Sequence, residues 1–308
     1  MKIIITGGTG SIGSALGTSL LGDGHEVVVL SRFPEAHQGL VKKGFRVVGW
    51  DARTEAGWHD EVDGADVVLN FAGAPLPGDG FFPKRWTLPR RRTILESRRG
   101  AGEAVTAAVR AARRKPRVVV QASAVGYYGP NPAGPITEAA PPGDDFLARV
   151  CRAWEDATAP VEAEGVRRVI IRTGIILDAR TGALPRLVLP FKLFAGGRMG
   201  SGRQWMPWIH PADELGAIRF LMEHDRCAGP FNLTAPYPVT NQEFARTLGR
   251  VMHRPSWFPV PPFALRLAFG ELATTVLDGQ QAMPEGLVES GYQFMYPTLE
   301  GALRDVLA

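Results

Sequence analysis

The hydrophobic and polar positions of the first thirty-two residues predict three elements in close succession. Residues 2–6 form a short β-branched apolar run, which is typical of a buried strand. Apolar side chains then recur at helical spacing over residues 11–21, and a second apolar run covers residues 26–30. The pattern therefore predicts a strand–helix–strand unit whose first turn is rich in glycine.

Apolar runs and helical periodicities continue to alternate as far as residue 178. Further strands are predicted at 46–50, 65–71, 117–121 and 168–176, and helices at 36–43, 90–114 and 145–159. Beyond residue 178 the alternation becomes irregular, with predicted helices at 184–195, 213–224, 240–252 and 299–307. The pattern predicts an α/β protein with a Rossmann-type doubly wound parallel sheet and a smaller α+β C-terminal region. We place the two domains at 1–178 and 179–308, and later segments can return to the first.

The glycines after the first strand follow the spacing G-x-x-G-x-x-G. Gly7 can adopt the backbone angles of a tight turn, Gly10 has no Cβ to keep a pyrophosphate away, and Gly13 lets the helix pack closely on the strand. Free N–H groups at the helix N-terminus favour a phosphate at the same place. The turn is therefore predicted to bind a dinucleotide. Three further residues belong to it: Thr9, Ser11 and Ile12.

The end of the second predicted strand indicates which dinucleotide is bound. An acidic residue at this point hydrogen-bonds the ribose 2′-hydroxyl of NAD and repels a 2′-phosphate. The chain has Ser31 and Arg32 here, a hydroxyl and a fixed cation that suit a phosphate. We therefore predict NADP(H) as the cofactor; the alternative is that Arg32 is an ordinary solvated surface residue.

Other candidate binding residues follow later strands. Asp51, at the end of the third strand, either accepts a hydrogen bond from the adenine amino group or is a plain turn residue. Arg85 and Arg149 either hold phosphates or an acidic substrate, or lie on the surface. Small residues after the fourth strand let a cofactor lie across the carboxyl end of the sheet. The cofactor-binding prediction there covers Phe71, Ala72 and Gly73.

Composition narrows the functional classes. The chain has 308 residues, of which 45% are hydrophobic and 21% charged, as in an ordinary globular protein. The net charge of +4 and the dispersed arginines argue against a nucleic-acid partner. The cysteines, Cys151 and Cys227, and the six histidines lack metal-ligand spacing, so no metal site is predicted. With no apolar stretch long enough for a membrane span and no signal peptide, we expect a cytoplasmic protein with a small-molecule substrate; the oligomeric state stays open.

Taken together, several motifs resemble a known family. GGTGSIG, NFAG, SAVGYYG and WIHPADELGAI resemble an extended, atypical short-chain dehydrogenase/reductase. More closely, the chain is similar to the "epimerase family protein" branch, whose members carry a C-terminal segment of unknown function. That similarity rests on RTGIILD, LPFKLFAGGRMGSG, NLTAPYPVTNQEFARTLG and the tail at 255–307. The resemblance implies a Rossmann fold, NADP(H) binding and a smaller C-terminal substrate region.

One departure from the resemblance concerns catalysis. Most relatives in the wider superfamily use Tyr-x-x-x-Lys on the helix after strand five, where the lysine lowers the pKa of the tyrosine. Residues 146–155 read FLARVCRAWE, and no register of this helix contains that pair. The nearest groups able to replace it follow strand five: Ser123 (or Ala124 in another register), Tyr127 and Tyr128. Tyr128 is alternatively a core residue.

These observations lead to two functional hypotheses. The first is an NADP(H)-binding oxidoreductase or nucleotide-sugar-epimerase-like enzyme that acts on an unidentified small carbonyl or sugar-like substrate, with Ser123, Tyr127 and Tyr128 as candidate catalytic residues. The second is a catalytically degenerate NADP(H)-binding sensor or partner-binding protein. The missing Tyr-x-x-x-Lys pair favours the second hypothesis, whereas the glycine turn is compatible with both.

Overall fold

A seven-stranded parallel sheet forms the centre of the computed structural model, which describes residues 1–78, 80 and 83–308. The strands of this sheet and of three short two-stranded pairs are, in chain order, β1 (Lys2–Thr6), β2 (Glu26–Ser31), β3 (Arg46–Gly49), β4 (Val67–Asn70), β5 (Val118–Ala124), β6 (Asn131–Ile136), β7 (Arg167–Thr173), β8 (Ile175–Ile176), β9 (Trp205–Met206), β10 (Trp208–Ile209), β11 (Gly229–Leu233), β12 (Val239–Thr240) and β13 (Gln280–Ala282).

Helices connect and cover these strands. The α-helices are α1 (Ser11–Gly22), α2 (Gln38–Lys42), α3 (His59–Val62), α4 (Leu88–Ala111), α5 (Phe146–Asp156), α6 (Leu184–Lys192), α7 (Pro211–Glu223), α8 (Asn241–Met252), α9 (Pro262–Phe269), α10 (Thr274–Leu277), α11 (Glu285–Glu289) and α12 (Leu299–Val306). Short 3-10 helices cover Pro34–His37, Val125–Tyr128, Ala159–Glu164 and Gly270–Ala273. Within the described part of the chain, no helix has the length and apolar character that crossing a membrane requires.

The strand order of the central sheet is β11-β7-β5-β4-β1-β2-β3, and every neighbouring pair is parallel. The chain runs from β1 outward to β2 and β3, then returns to β4 on the other side of β1. The order therefore reverses between β1 and β4, and open sheets of this kind bind ligands at the carboxyl ends of the strands at such a switch point. The predicted fold class is confirmed.

Both faces of the sheet are buried, as a doubly wound parallel sheet requires. On one face, Ile3 and Ile5 pack with apolar residues of α1 and α7. On the other face, Ile4 packs with a row of small and β-branched residues of α4. All three isoleucines are fully buried, which explains why β1 is a continuous apolar run rather than an alternating one.

Residues after 178 contribute both to the central sheet and to a separate core. Strand β11 forms one edge of the sheet and pairs with β7. A further apolar cluster lies between α6, α8 and α12. Helix α7 packs against α1, where the Arg219 guanidinium donates to the Ser19 hydroxyl at 2.7 Å. The division of the chain at residue 178 stays a prediction.

The predicted and observed elements differ where contacts between residues distant in sequence determine the bounds of a strand or helix. The predicted strand 168–176 is divided into β7 and β8 at Gly174, because the next N–H, that of Ile175, donates to the Pro207 carbonyl at 2.7 Å instead of to the central sheet. β8 instead pairs with β10. Helix α4 begins two residues before the predicted start at 90, because the Thr87 hydroxyl accepts from the Arg90 N–H and Pro89 occupies the first turn.

Candidate functional site

The glycine turn lies at the switch point of the sheet. Each of its three positions has a different structural environment. Gly7 has φ +68°, and a Cβ there would lie 2.8 Å from the carbonyl carbon of Phe71. A Cβ on Gly13 would lie 2.7 Å from both the Gly7 oxygen and the Gly8 Cα. Gly10 has φ −77°, and the nearest described atom to a Cβ there is the Gly7 oxygen at 3.2 Å. Packing therefore requires Gly7 and Gly13, whereas Gly10 is exposed and a Cβ there would make one close contact, with a backbone oxygen.

The N-terminus of α1 is exposed next to Gly10. Gly10 is the N-cap residue, so no side chain accepts hydrogen bonds from the first N–H groups, and the first turn contains no acidic residue. Thr9 and Ser11 are exposed beside it, and Ile12 is half-buried against the core. An uncapped helix N-terminus with accessible N–H groups is suited to an anion. These residues fit a cofactor pyrophosphate.

A buried row of polar side chains holds the carboxyl ends of three central strands together. The Thr6 hydroxyl donates to Asn70 Oδ1 at 2.6 Å, and the Asn70 amide donates to Gln121 Oε1 at 2.8 Å. The Thr6 oxygen also accepts from the N–H groups of Phe71 and Ala72. Sequence reasoning missed this row, although its signal was a polar residue at the end of each apolar run. The row positions the backbone edge that was predicted to border the cofactor.

The end of β2 carries the pair predicted to select the cofactor. Ser31 is buried, and its hydroxyl accepts from the Phe33 N–H at 3.1 Å. Arg32 is exposed, and its guanidinium lies 5.7 Å from the centre of the Phe33 ring. Among the described residues, Arg32 makes no ion pair with a carboxylate. Its positive charge is therefore available to a ligand.

Asp51, just after β3, makes the hydrogen bonds of a turn residue. Its carboxylate accepts from the N–H groups of Arg53 and Thr54 at 2.8 Å each, and from the Thr54 hydroxyl at 2.8 Å. Burial acts to raise the pKa of Asp51, but these hydrogen bonds together outweigh it and lower the pKa below its usual value. The contacts correspond to the turn alternative, and adenine recognition by Asp51 stays a prediction.

The arginines predicted to hold phosphates contact backbone carbonyls. Arg85 donates to the carbonyl of Ala268 at 3.3 Å and to that of Leu267, at the end of α9. Arg149 donates to the Asp144 carbonyl next to the start of α5. Arg85 thus joins the loop after β4 to the C-terminal region, and phosphate binding by either arginine stays a prediction.

Two of the three candidate catalytic hydroxyls belong to one buried hydrogen-bond network. The Ser123 hydroxyl donates to Glu155 Oε1 at 2.6 Å. Glu155 accepts two bonds from Arg172, at 3.0 and 2.9 Å. Arg172 donates to the Tyr128 oxygen at 3.1 Å, and Tyr128 donates to Asn232 Oδ1 at 2.7 Å. Burial raises the pKa of Tyr128. The network joins β5, α5, β7 and β11, so Ser123 and Tyr128 have structural partners.

Tyr127 has a different environment. Its ring is half-buried, with the Arg172 guanidinium carbon 3.4 Å from the ring centre and the Tyr128 ring edge-on at 5.3 Å. Within residues 1–78, 80 and 83–308, its hydroxyl makes no hydrogen bond to another side chain or carbonyl. Of the three candidate hydroxyls, that of Tyr127 is the one left available to a substrate.

The structure also determines which residues of α5 face the end of β5. Leu147 Cβ lies 3.4 Å from the position that a Cβ on Gly126 would occupy. Cys151, one helical turn later, places its sulfur 3.7 Å from the Ala124 carbonyl oxygen. Burial raises the pKa of the Cys151 thiol to about 11, so the thiol is neutral at pH 7. At the spacing of a Tyr-x-x-x-Lys pair, this face therefore carries a leucine and a neutral cysteine.

A buried carboxyl group near the end of β7 was not recognised from the sequence. Glu214, in the first turn of α7, accepts from the Thr173 hydroxyl at 2.9 Å, and its other oxygen has no partner in the described part of the chain. Burial raises its pKa to about 8, so it holds a proton at pH 7. The residue was overlooked because acidic residues are common in the first turn of a helix, where they interact with the helix dipole.

We expect Glu155→Ala to lower the free energy of unfolding by about 3–5 kcal/mol, because it leaves the Arg172 cation buried without its partner. Glu155 and Arg172 are 6% and 4% exposed. Urea denaturation measures the loss, and Glu162→Ala, which breaks an exposed pair with Arg168, is the matched control. The double variant Glu155→Met/Arg172→Met should recover most of the stability. If Glu155→Ala costs no more than Glu162→Ala, the ion pair does not have this role.

The sheet order and the glycine turn at its switch point define a Rossmann-type α/β protein. Residues 3–234 match the NAD dependent epimerase/dehydratase family, and residues 260–306 match a domain of unknown function, DUF1731. The chain belongs to the NAD dependent epimerase/dehydratase family, as the motifs indicated.

Relatives that span the whole chain support this assignment. The epimerase family protein YfhF of Bacillus subtilis is 39% identical over 309 residues, which cover 100% of this chain and 98% of the relative. A chloroplastic SDR39U1 homologue of Arabidopsis thaliana is 39% identical over 310 residues, covering 100% of this chain and 87% of the relative. The crystal structure of human epimerase family protein SDR39U1 (isoform 2) with NADPH has a TM-score of 0.89 and 32% identity, with 99% of each chain covered.

Proposed function

We propose that this protein is an NADPH-dependent oxidoreductase, or epimerase-like enzyme, that acts on a small carbonyl or sugar-like substrate. The observation that carries the proposal is the exposed, uncapped N-terminus of α1, with Gly10 as its N-cap residue, at the switch point of the sheet. The human relative crystallised with NADPH supports the choice of cofactor.

The residues around the switch point would hold NADPH in two halves. The N–H groups at the start of α1 would bind the pyrophosphate, and Ser31 and Arg32 would bind the 2′-phosphate beyond β2. The backbone after β4, from Phe71 to Gly73, would border the nicotinamide half, because β4 lies across the switch point from β2. Bound NADPH supplies a hydride, so reduction of a carbonyl also needs one proton for the substrate oxygen.

Tyr127 is the residue that we assign to this proton transfer. Its hydroxyl follows the carboxyl end of β5, and it is not committed to a partner within the described residues. Arg172 packs on its ring and fixes its orientation. The phenol donates its proton to the substrate oxygen during reduction and is reprotonated from solvent. Ser123 and Tyr128 then support the site through the buried network that contains Arg172.

Arg32→Ala tests the cofactor assignment. A hydrogen bond to a charged group contributes about 1.5–3 kcal/mol, so NADPH affinity should fall about ten- to a hundred-fold while NADH affinity hardly changes. Calorimetric titration of both cofactors measures the effect. Arg113→Ala is the matched control, because it removes an exposed arginine at the opposite, amino-terminal edge of the sheet. Equal losses for NADPH and NADH would contradict 2′-phosphate recognition by Arg32.

A second candidate function is NADPH binding without catalysis, as in a redox sensor. The face of α5 with Leu147 and Cys151 favours this candidate, because it carries neither the tyrosine nor the lysine of the superfamily's catalytic pair. Two assays on one panel separate the candidates: small carbonyl compounds followed by NADPH absorbance at 340 nm, and nucleotide sugars incubated with oxidised NADP and analysed for epimerised product by chromatography, because epimerisation returns its hydride and leaves the absorbance unchanged. Tight NADPH binding with no turnover across the panel would favour the sensor, whereas turnover of any panel member would establish the enzyme.

A further inference from the structure

Arg98, in α4, is a buried cation without a counter-ion. It is 8% exposed, and among the described residues no carboxylate forms an ion pair with it. One of its nitrogens donates to the carbonyls of Ala74 at 3.0 Å and Ile94 at 3.1 Å. Its guanidinium carbon lies 4.7 Å from the centre of the Trp154 ring. Burial lowers the pKa of Arg98 to about 10, so it stays charged at pH 7.

The guanidinium lies beside the carboxyl end of β4. Its central carbon is 3.0 Å from the position that a Cβ on Gly73 would occupy. The preceding residue, Ser97, accepts from the Ala74 N–H at 3.0 Å, so α4 binds both backbone polar groups of Ala74. Cys151 interacts electrostatically with Arg98, but its neutral thiol provides no negative charge. The Arg98 cation is therefore held on the β4 side of the switch point, with no negatively charged partner among the described residues.

A charge at such a buried position raises the free energy of the folded state. A buried cation without a counter-ion destabilises the folded protein, and an apolar side chain of similar volume would serve packing better. Trp154, which stacks on Arg98, also has a buried indole N–H with no acceptor in the described part of the chain. Packing does not account for the uncompensated charge of Arg98, which would gain from a negatively charged or oxygen-rich ligand at the end of β4.

We propose that Arg98 is the fixed cation that stabilises the nicotinamide half of bound NADPH, because the α5 residues that face the end of β5 at the Tyr-x-x-x-Lys spacing, Leu147 and Cys151, supply no positive charge. This inference rests on the proposed function. The adenosine half of a dinucleotide lies over β1–β3, on the side of Arg32, and the second half lies across the switch point over β4 and β5. Arg98 adjoins that second side, where its charge attracts the phosphate and ribose oxygens of the nicotinamide nucleotide.

The test compares NADPH with 2′,5′-ADP, which carries the adenosine half and the 2′-phosphate but no nicotinamide. Arg98→Met keeps the length of the side chain and removes the charge. Calorimetry should show NADPH affinity reduced about ten- to a hundred-fold, with the affinity for 2′,5′-ADP unchanged. The melting temperature of the free protein should change little, because removal of the buried charge offsets the loss of the hydrogen bonds to the Ala74 and Ile94 carbonyls. Arg99→Met, on the exposed side of α4 where Arg99 pairs with Glu96, is the matched control.

The outcomes separate this inference from the proposed function. Failure of the wild-type protein to bind NADPH contradicts the proposed function itself. Wild-type binding that Arg98→Met leaves unchanged, or equal losses for NADPH and 2′,5′-ADP, overturns the role of Arg98 in the nicotinamide half. If Arg98→Met does not fold, a comparison of Arg98→Lys, which keeps the charge, with Arg98→Gln, which removes it, tests the inference. Arg98→Lys should retain most of the NADPH affinity that Arg98→Gln loses, and equal affinities of these two variants overturn the inference.

Discussion

Gly10→Val is expected to abolish NADPH binding while the protein remains folded. The backbone of Gly10 has φ −77°, which any L-residue adopts, and a Cβ there would meet only the Gly7 oxygen at 3.2 Å among the described atoms. The valine branches would therefore occupy the space in front of α1, through which the pyrophosphate approaches the free N–H groups. Fluorescence titration with NADPH measures binding, and thermal denaturation by circular dichroism measures folding.

Two other glycines of the same turn and helix provide controls for this result. Gly22→Ala adds a Cβ with no described atom within 4 Å, so it should preserve both folding and binding. Gly13→Ala places a Cβ 2.7 Å from backbone atoms of the turn, so it should lower the melting temperature. NADPH binding by Gly10→Val with wild-type affinity would show that the cofactor lies elsewhere.

Tyr127→Phe should lower turnover about 10²–10⁴-fold, the usual contribution of a general acid, with little change in NADPH affinity. The substitution removes the hydroxyl but keeps the ring against Arg172. Stability should also be nearly unchanged, because the hydroxyl makes no hydrogen bond within the described residues. Initial rates on whichever substrate the panel yields, followed by the assay that detected it, measure the effect.

Tyr128→Phe and Ser123→Ala are the comparison variants, since both remove a hydroxyl near the carboxyl end of β5. Each of these hydroxyls donates to a buried acceptor, Asn232 and Glu155 respectively. We expect their main effect to be a loss of stability that urea denaturation detects. If the largest loss of turnover occurs at Tyr128 or Ser123, the proton donor is misassigned; if all three variants keep wild-type rates, the acid lies outside the β5 region.

The first strand–helix–strand unit was predictable almost to the residue. The apolar runs at 2–6 and 26–30 correspond to β1 and to β2, which extends one residue further, and the predicted helix 11–21 corresponds to α1. Such accuracy is possible because the information is local: helical spacing, β-branched residues and a glycine turn all act within a few residues of one another. The same is true of the predicted helix at 240–252, which corresponds to α8, because the Thr240 hydroxyl accepts from the Glu243 N–H and caps the helix locally.

Elements that depend on distant partners were not predictable in this way. No strand was predicted between 121 and 145, but β6 lies there and pairs with β13, far along the chain. The partners of Ser123 and Tyr128 lie 32 and 104 residues away. The local sequence around each residue carries no signal for such contacts, because these hydrogen bonds form only after the sheet has assembled.

By itself, the sequence determined the Rossmann-type class and the presence of a glycine turn followed by a helix, since backbone conformation and apolar periodicity are local properties. It also showed that the helix after β5 lacks a Tyr-x-x-x-Lys pair. Only the tertiary structure decided that Leu147 and Cys151 occupy the face toward β5, that Tyr127 keeps a free hydroxyl among the described residues, and that Arg98 is buried beside Gly73. The availability of a side chain for chemistry depends on which groups from other strands and helices have already satisfied its hydrogen bonds and charge.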